Sequence, residues 1–271
     1  GAAVGKLQAE KADQQKEYIV FVSGDCLPGE IVEAQLTKIK PQYAEAVIEK
    51  IITPAANRIK PRCKHFGICG GCSLQQLRYE DQLKWKQKVV ADSLEKIGGF
   101  KNPALEEIIG QAKENPWFYR NKMEYSFDEQ GIIGLHPKKD FRHVFDLEEC
   151  FLQSEQSVAI ALEVEKWVKE NNITACRNLV VREGKNTGEL LVNFVVATAD
   201  FPQEENFTQF MKKTFPQITS LYRTSVIVRR GHRTVTREHL LFGEQTLTEK
   251  LTVAGTSLTF EILPQAFFQL L

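Results

Sequence analysis

The sequence has no excess of charge of either sign, because 35 lysine and arginine residues balance 35 aspartate and glutamate residues. Without a net charge, any binding of RNA or DNA must come from local patches. It also lacks any apolar run near the ~20 residues of a membrane span. Its start, GAAVGKLQAEKADQQ, lacks the apolar segment of a signal peptide. We therefore expect a cytoplasmic protein with no membrane partner.

Cysteine is scarce, with six residues in 271, yet half of them are close together. The stretch CKHFGICGGC holds Cys63, Cys69 and Cys72 in a C-x5-C-x2-C arrangement. In a cytosolic chain disulfides are rare, and such a cluster more often binds metal or takes part in catalysis. A zinc ion or an iron–sulfur cluster needs four ligands, so one more must come from elsewhere.

The fourth ligand is predicted to be Cys150, which follows a predicted hairpin that returns the chain to the centre of its domain. His65 is a competing ligand, and a zinc site of three cysteines and one histidine is the main rival. Zinc sites usually pair two short-spaced knuckles, whereas three clustered thiolates and one distant thiolate suit an iron–sulfur cubane. Gly70 and Gly71 allow backbone N–H groups to approach cluster sulfurs. Spacing alone leaves a cluster, zinc and ordinary buried thiols open.

The N-terminal part of the chain is predicted to be a small β barrel. Residues 17–52 contain three short runs of strand character, and Pro28-Gly29 suits the centre of a type II turn. Val32, Ala34 and Leu36 alternate with polar residues, as in a half-buried strand. TPAANRIKP then reads as a linker.

The rest of the chain mixes helices with strands. The apolar period and the following Gly98-Gly99 predict a helix over 80–98. Further on, the patterns predict a strand–turn–strand at 117–136, helices at 154–170 and 203–215, a hairpin turning at 186–188, and strands near 218–229 and 250–262. Antiparallel strands with flanking helices predict an α+β domain.

Several segments, in order from about 17 to 269, resemble the RNA uracil-C5 methyltransferases, which use S-adenosylmethionine to make 5-methyluridine in ribosomal or transfer RNA. CKHFGICGGCSLQQLRYEDQLKWKQKVV resembles their cysteine loop, and FVSGDCLPGEIVEAQLTKIKPQYAEAVI their N-terminal TRAM barrel. FYRNKMEYSF and GLHPKKDFRHVFDLEEC resemble their central domain, and ILPQAFFQ the start of their catalytic domain. The resemblance implies a [4Fe–4S] cluster on Cys63, Cys69, Cys72 and Cys150.

The same resemblance implies a domain order. It predicts an RNA-binding, OB-like TRAM barrel over 1–57, a central iron–sulfur α+β domain with an antiparallel sheet over 58–262, and the start of the methyltransferase domain over 263–271. The Rossmann-like methyltransferase domain itself is expected to be absent, with helix 80–98 left without the partner on which it packs. The chain alone is therefore expected to be inactive.

In the family a cysteine thiolate adds to uracil C6, C5 attacks the sulfonium methyl group, and a base removes the C5 proton. The resemblance places no catalytic residue in these 271 residues, and it places Gln269 on the S-adenosylmethionine side of the pocket. The cluster has no redox role in this chemistry, so a structural role is expected.

RNA contacts are predicted from two groups of basic residues. The first is Lys38, Lys40, Lys60, Arg62 and Lys64, on the barrel and its exit linker, for which a merely solvated face is the alternative. The second is Arg120 and Lys122, interleaved with aromatic residues in WFYRNKMEYSF. The expected partner is RNA with a single-stranded or loop uridine, ribosomal RNA rather than transfer RNA, and the full-length protein is expected to be a monomer.

Two other functions compete with this one. The first is a non-catalytic RNA-binding module with a structural or oxidation-sensing iron–sulfur cluster. The second is a radical S-adenosylmethionine enzyme, which needs C-x3-C-x2-C and an open iron position. The x5 gap and the available fourth cysteine argue against the second.

Overall fold

A computed structural model describes residues 2–8, 17–111, 116–228 and 231–269. The chain divides into two compact units, residues 1–116 and 117–271. The predicted domain boundary at 57/58 falls inside the first unit, between its sheet and its cysteine loop. No helix in the described ranges is long and apolar enough to cross a membrane.

The first unit contains a four-stranded sheet in the order β1-β2-β4-β3. Its strands are β1 Ala2–Gln8, β2 Glu17–Ser23, β3 Ile31–Ile39 and β4 Tyr43–Thr53. The three strands predicted within 17–52 are confirmed, and β1 was missed. In this sheet β2 and β4 pair in parallel, and the other pairings described are antiparallel. Among the described residues no pairing joins β1 to β3, so the backbone pairing leaves the sheet open where a barrel was predicted.

Alternation along β2 and β4 gives the sheet one buried face. Val20 and Val22 are buried against Ala44 and Ala46, and their neighbours in sequence point to the other face. The turn before β3 has the predicted type II geometry, since Gly29 has φ +87° and the Glu30 amide donates to the Leu27 carbonyl at 3.3 Å.

The predicted helix at 80–98 is confirmed as α1, Tyr79–Lys96. It ends where Gly98 donates to the Ser93 carbonyl and Gly99 adopts φ +71°. Residues 105–111 run along the helix: Gln87 donates to the Glu106 carbonyl at 3.0 Å, and the Tyr79 hydroxyl accepts from the amide of Gln111 at 2.6 Å. Part of α1 is thus covered from within its own unit.

The second unit is built on a seven-stranded sheet in the order β11-β10-β9-β8-β5-β6-β7. Its strands are β5 Lys122–Phe127, β6 Ile133–Leu135, β7 Phe145–Asp146, β8 Cys176–Glu183, β9 Leu190–Val196, β10 Ser220–Ile227 and β11 Val235–Gly243. Its helices are α2 Glu155–Glu170 and α3 Glu204–Thr214, and a hairpin, β12 Leu247–Val253 and β13 Thr256–Ile262, follows. The predicted strand–turn–strand, both helices and the hairpin at 186–188 are confirmed.

The predicted antiparallel pairing holds for five of the six strand pairs described in this sheet, and the exception is β9 and β10, which pair in parallel. Helix α3 connects them, and a parallel pair requires such a crossover. This β9-α3-β10 unit is the kind from which Rossmann-like sheets are built. Every residue of β9 is buried, as expected for a strand covered on both faces.

Aromatic packing fixes the core around β9. The ring of Phe194 lies 4.6 Å from that of Phe207 on α3 and 6.0 Å, edge-on, from that of Phe127 on β5. Trp167 of α2 packs 4.9 Å from Phe207. These contacts join both helices to the same part of the sheet, and they make Phe127 and Trp167 core residues.

Candidate functional site

The cysteine loop, residues 60–76, is a surface loop whose two ends are held together. Its base is an antiparallel bridge between Arg58 and Leu77. The amide of Ile59 donates to the Gln76 carbonyl at 2.8 Å, and the amide of Arg78 donates to the Asn57 carbonyl at 3.2 Å. The loop is therefore a compact structure with a closed base.

Inside the loop the cysteines are held by backbone hydrogen bonds. The amide of Cys63 donates to the Gln75 side-chain oxygen at 3.1 Å, and that of Cys69 donates to the His65 carbonyl at 2.8 Å. The amide of Gly71 donates to the Cys69 Sγ at 3.3 Å, and a Cβ at Gly71 would lie 3.4 Å from that sulfur. An N–H donor at a sulfur stabilises the thiolate form that a metal needs.

All six cysteines are half-buried. The structure does not assemble the predicted metal site: in the described ranges no three His, Cys, Asp or Glu side chains are grouped to hold a metal ion. Cys63, Cys69 and Cys72 belong to the first unit, whereas Cys150 belongs to the second.

An ion pair anchors the entrance of the cysteine loop to the TRAM-like sheet. The Glu30 carboxylate, whose side chain is fully buried, accepts from Arg58 Nη2 at 2.8 Å and from the amides of Leu27 at 2.7 Å and Ala55 at 3.2 Å. The Arg58 guanidinium, together with these amides, lowers the pKa of the Glu30 carboxyl to about 2. The same Nη2 of Arg58 also donates to the Asp25 carbonyl at 2.6 Å.

The predicted basic residues of the first unit are all on its surface: Lys38, Lys40, Lys60, Arg62 and Lys64 are exposed. They are not electrostatically equivalent. Lys38 forms an ion pair with Glu45 at 3.2 Å, with both side chains close to half exposed. Neither Lys40 nor Lys60 has an acidic partner in the described part of the chain.

In the second unit Arg120 and Lys122 differ in the same way. Lys122 lies 3.6 Å from the Glu124 carboxylate, which offsets its charge. Arg120 is half-buried and its amide donates to the Leu152 carbonyl at 2.9 Å, while its side chain forms no ion pair within the described residues. Arg120 is therefore the better placed of the two to bind a phosphate.

Gln269 ends a segment, 263–269, in which exposed residues alternate with buried or half-buried ones, and two buried polar residues hold it. Arg182, only 2% exposed, donates from Nε to the Pro264 carbonyl at 3.0 Å and from Nη2 to the Ala266 carbonyl. Asn121 donates to the Phe268 carbonyl at 3.4 Å. Gln269 itself is exposed, and residues 270–271 lie outside the described residues.

Sequence reasoning missed Arg182 and Asn121. A signal for Arg182 was available, since it is a charged residue in the run NLVVRE of an otherwise apolar strand. Burial lowers the pKa of the Arg182 guanidinium, and two carbonyl acceptors compensate for that burial.

Residues 1–48 match the family described as the TRAM domain. The chain carries a TRAM domain. The match covers the four-stranded sheet and ends inside β4, so the prediction of a TRAM domain at this end is confirmed.

Relatives extend the similarity over both units. An uncharacterized RNA methyltransferase of Bacteroides thetaiotaomicron is 31% identical, over 99% of this chain and 63% of that protein. One from Halalkalibacterium halodurans is 33% identical, over 94% of this chain and 56% of that protein. The chain thus spans less than two thirds of the length of these relatives.

A solved structure shares the fold. The crystal structure of Pyrococcus abyssi tRNA (uracil-54, C5)-methyltransferase in complex with S-adenosyl-L-homocysteine aligns with a TM-score of 0.63 at 23% identity. The alignment covers 98% of this chain and 61% of that one. The expectation that a Rossmann-like methyltransferase domain is absent is corrected by this match of nearly the whole chain to a methyltransferase. The expectation of an inactive chain rested on that absence and is withdrawn with it.

Proposed function

We propose that this protein is an S-adenosylmethionine-dependent RNA methyltransferase that acts on C5 of a uridine. The observation that carries the proposal is the similarity to an RNA methyltransferase along 99% of the chain, at 31% identity. The similarity includes the TRAM domain and also the whole second unit, so an RNA-binding domain common to many proteins does not account for it.

RNA binding is the first part of the proposed activity. Lys40 and Lys60 are exposed cations of the first unit without acidic partners in the described ranges, and Arg120 is a comparable cation of the second. Such side chains bind phosphates at a strength that falls as salt rises. The proposed substrate is a uridine in a loop or single strand, in ribosomal RNA as the sequence predicts or in transfer RNA as in the structural neighbour's name.

Methyl transfer is the second part. The methyl donor is proposed from the relatives' names and from the S-adenosyl-L-homocysteine in the structural neighbour. In the proposed reaction a thiolate adds to uracil C6, the C5–CH3 bond forms as the S–CH3 bond breaks, a base takes the C5 proton, and the thiolate leaves. Gln269 is proposed to contact the cofactor, because hydrogen bonds hold its segment while its side chain stays exposed.

The third part of the proposal is a bound [4Fe–4S] cluster. Three cysteines lie within ten residues, one with an N–H donor on its sulfur, and this donor set fits iron or zinc. The fourth thiolate, Cys150, is proposed from the sequence, and His65 remains the alternative ligand of a zinc site. A bound cluster would supply structural cross-linking to the loop.

The proposal is tested with the full-length protein, labelled S-adenosylmethionine and unmodified transcripts of ribosomal and transfer RNA. We expect label in 5-methyluridine after digestion to nucleosides, from one of the two RNA classes. Label in another nucleoside would contradict the C5 position. Tight RNA binding with no label from either class would favour the non-catalytic RNA-binding module.

A further inference from the structure

The loop between β6 and β7, residues 136–143 (HPKKDFRH), presents an aromatic ring to solvent. Phe141 is 83% exposed. Its nearest ring neighbour is His136, with centroids 6.5 Å apart and planes tilted by 55°. We call this segment the 136–143 loop.

Hydrogen bonds hold the 136–143 loop in one shape. His136 Nδ1 donates to the His143 carbonyl at 2.8 Å, and its Nε2 lies 2.9 Å from the Ser126 hydroxyl. Because a carbonyl only accepts, Nδ1 carries a proton. Asp140 accepts from the Arg142 amide at 3.0 Å and from His143 Nδ1 at 2.5 Å. The ring is thus displayed by an ordered loop.

The charge around Phe141 is positive. Lys138, Lys139 and Arg142 lie within four positions, against one acidic residue, Asp140. The His143 ring N–H donates to that carboxylate and lowers the pKa of Asp140, so Asp140 is committed within the loop. Lys139 and Arg142 form no ion pair in the part of the chain that the structure describes. Lys139 has φ +65°, a left-handed backbone conformation that residues other than glycine rarely adopt.

We infer that the 136–143 loop binds a single-stranded RNA segment, with one base stacked on Phe141 and phosphates on Lys139 and Arg142. An exposed ring between free cations is the arrangement with which proteins bind unpaired nucleotides. A protein partner would favour a larger contiguous apolar patch than a single ring surrounded by cations. The inference rests on the proposed function, since it assumes an RNA substrate, and it adds a contact outside the basic residues considered above.

The test is fluorescence anisotropy with the full-length protein, a labelled single-stranded oligouridine and a labelled RNA duplex. Phe141→Ala should weaken single-strand binding about 5- to 150-fold, the range for one stacked base. Phe141→Trp should retain the affinity, and Phe141→Leu should lose it because leucine has no π face. Duplex binding should change far less. Phe100→Ala, at a phenylalanine that is 60% exposed in the first unit, is the matched control and should bind as the parent does.

The cations are tested by a salt series. The double variant Lys139→Gln/Arg142→Gln should lower the slope of log affinity against log salt by about 1.4, for two single-strand phosphates. The binding results distinguish failure of this inference from failure of the proposed function. Normal binding by the parent with unchanged binding by Phe141→Ala overturns this inference and leaves the proposed function standing. Full affinity of Phe141→Leu also overturns it, because any apolar side chain would then suffice. No single-strand binding by the parent contradicts the proposed RNA substrate itself.

Discussion

The Glu30 carboxylate and the Arg58 guanidinium form a two-pronged ion pair, with both Nε and Nη2 of Arg58 donating to Glu30. Glu30 follows the turn of the TRAM sheet, and Arg58 begins the base of the cysteine loop. The pair therefore fixes the loop that carries three thiols to the sheet that carries the TRAM match. Because the carboxylate is buried, removing one partner of the pair should cost more stability than breaking an exposed pair.

Glu30→Gln should destabilise the first unit at neutral pH. Because the folded pKa of Glu30, about 2, is below its ordinary value of 4.5, its charge stabilises the fold above pH 4.5. That stability should be lost as pH falls from about 4.5 to about 2, and it is about 3 kcal/mol by linkage. Urea unfolding at pH 7 and at low pH measures both effects.

The control for Glu30 is Glu45→Gln, which breaks the exposed pair with Lys38. Its effect on the free energy of unfolding should stay within about 0.5 kcal/mol. Equal effects of the two substitutions, or a Glu30→Gln effect that persists unchanged at pH 2, would show that the ion pair does not anchor the loop.

Arg182→Met should release the segment that carries Gln269. It removes both hydrogen bonds to the carbonyls of Pro264 and Ala266, each worth about 1.5–3 kcal/mol when the donor is charged. We expect faster amide hydrogen exchange across 263–269 and weaker binding of S-adenosylmethionine. Arg177→Met, at an exposed arginine of the same strand, should change neither. Unchanged exchange in Arg182→Met would rule out the holding role.

Replacing the exposed lysines of the first unit should reduce RNA affinity, and the reduction should be larger for a lysine without an acidic partner in the described residues. Lys40→Gln and Lys60→Gln should each lower the salt slope by about 0.7–0.9, one phosphate apiece. Lys38→Gln should have a smaller effect, because Glu45 already offsets its charge. Binding of a uridine-bearing stem–loop across a salt series measures this, and an affinity unchanged in the combined variant would remove this surface from the RNA interface.

Anaerobically purified protein should carry about four irons per chain if the cluster proposal is right. Cys63→Ser and Cys150→Ser should each lose the iron. Cys176→Ser should keep it, since burial raises the pKa of the Cys176 thiol to about 12 and leaves it protonated. Stoichiometric zinc without iron would instead support the site with His65, and full iron in Cys150→Ser would exclude that cysteine.

Most helices and strands could be predicted from the sequence, but the pairing of some strands could not. Helix α2 was predictable because Ser154 caps it, accepting from the Ser157 amide at 3.1 Å, ahead of a clear apolar period. The parallel pairing of β9 and β10 was not, because alternation within a strand says nothing about which strand lies beside it. Strand β11 was missed for a different reason: most of its residues are exposed, at the edge of the sheet, and they do not alternate between polar and apolar.

The candidate site shows the same division. The spacing of the cysteines and the predicted basic residues could be read directly from short stretches of sequence. All of those basic residues are exposed except Arg120 and Lys122, which are half-buried. The roles of Arg182 and of the 136–143 loop depend on contacts between distant segments. Arg182 donates to carbonyls more than 80 positions away. The loop that carries Phe141 is held through His136, which is hydrogen-bonded to Ser126 of β5.

The most direct measurement of the central claim is a map of 5-methyluridine in ribosomal and transfer RNA from a strain in which the gene is deleted. The account predicts that the modification disappears at one or more uridines, that it returns when the gene is restored, and that those uridines lie in loops or single strands. An unchanged map at every position, in both RNA classes, would contradict the claim that this protein is an RNA uracil-C5 methyltransferase.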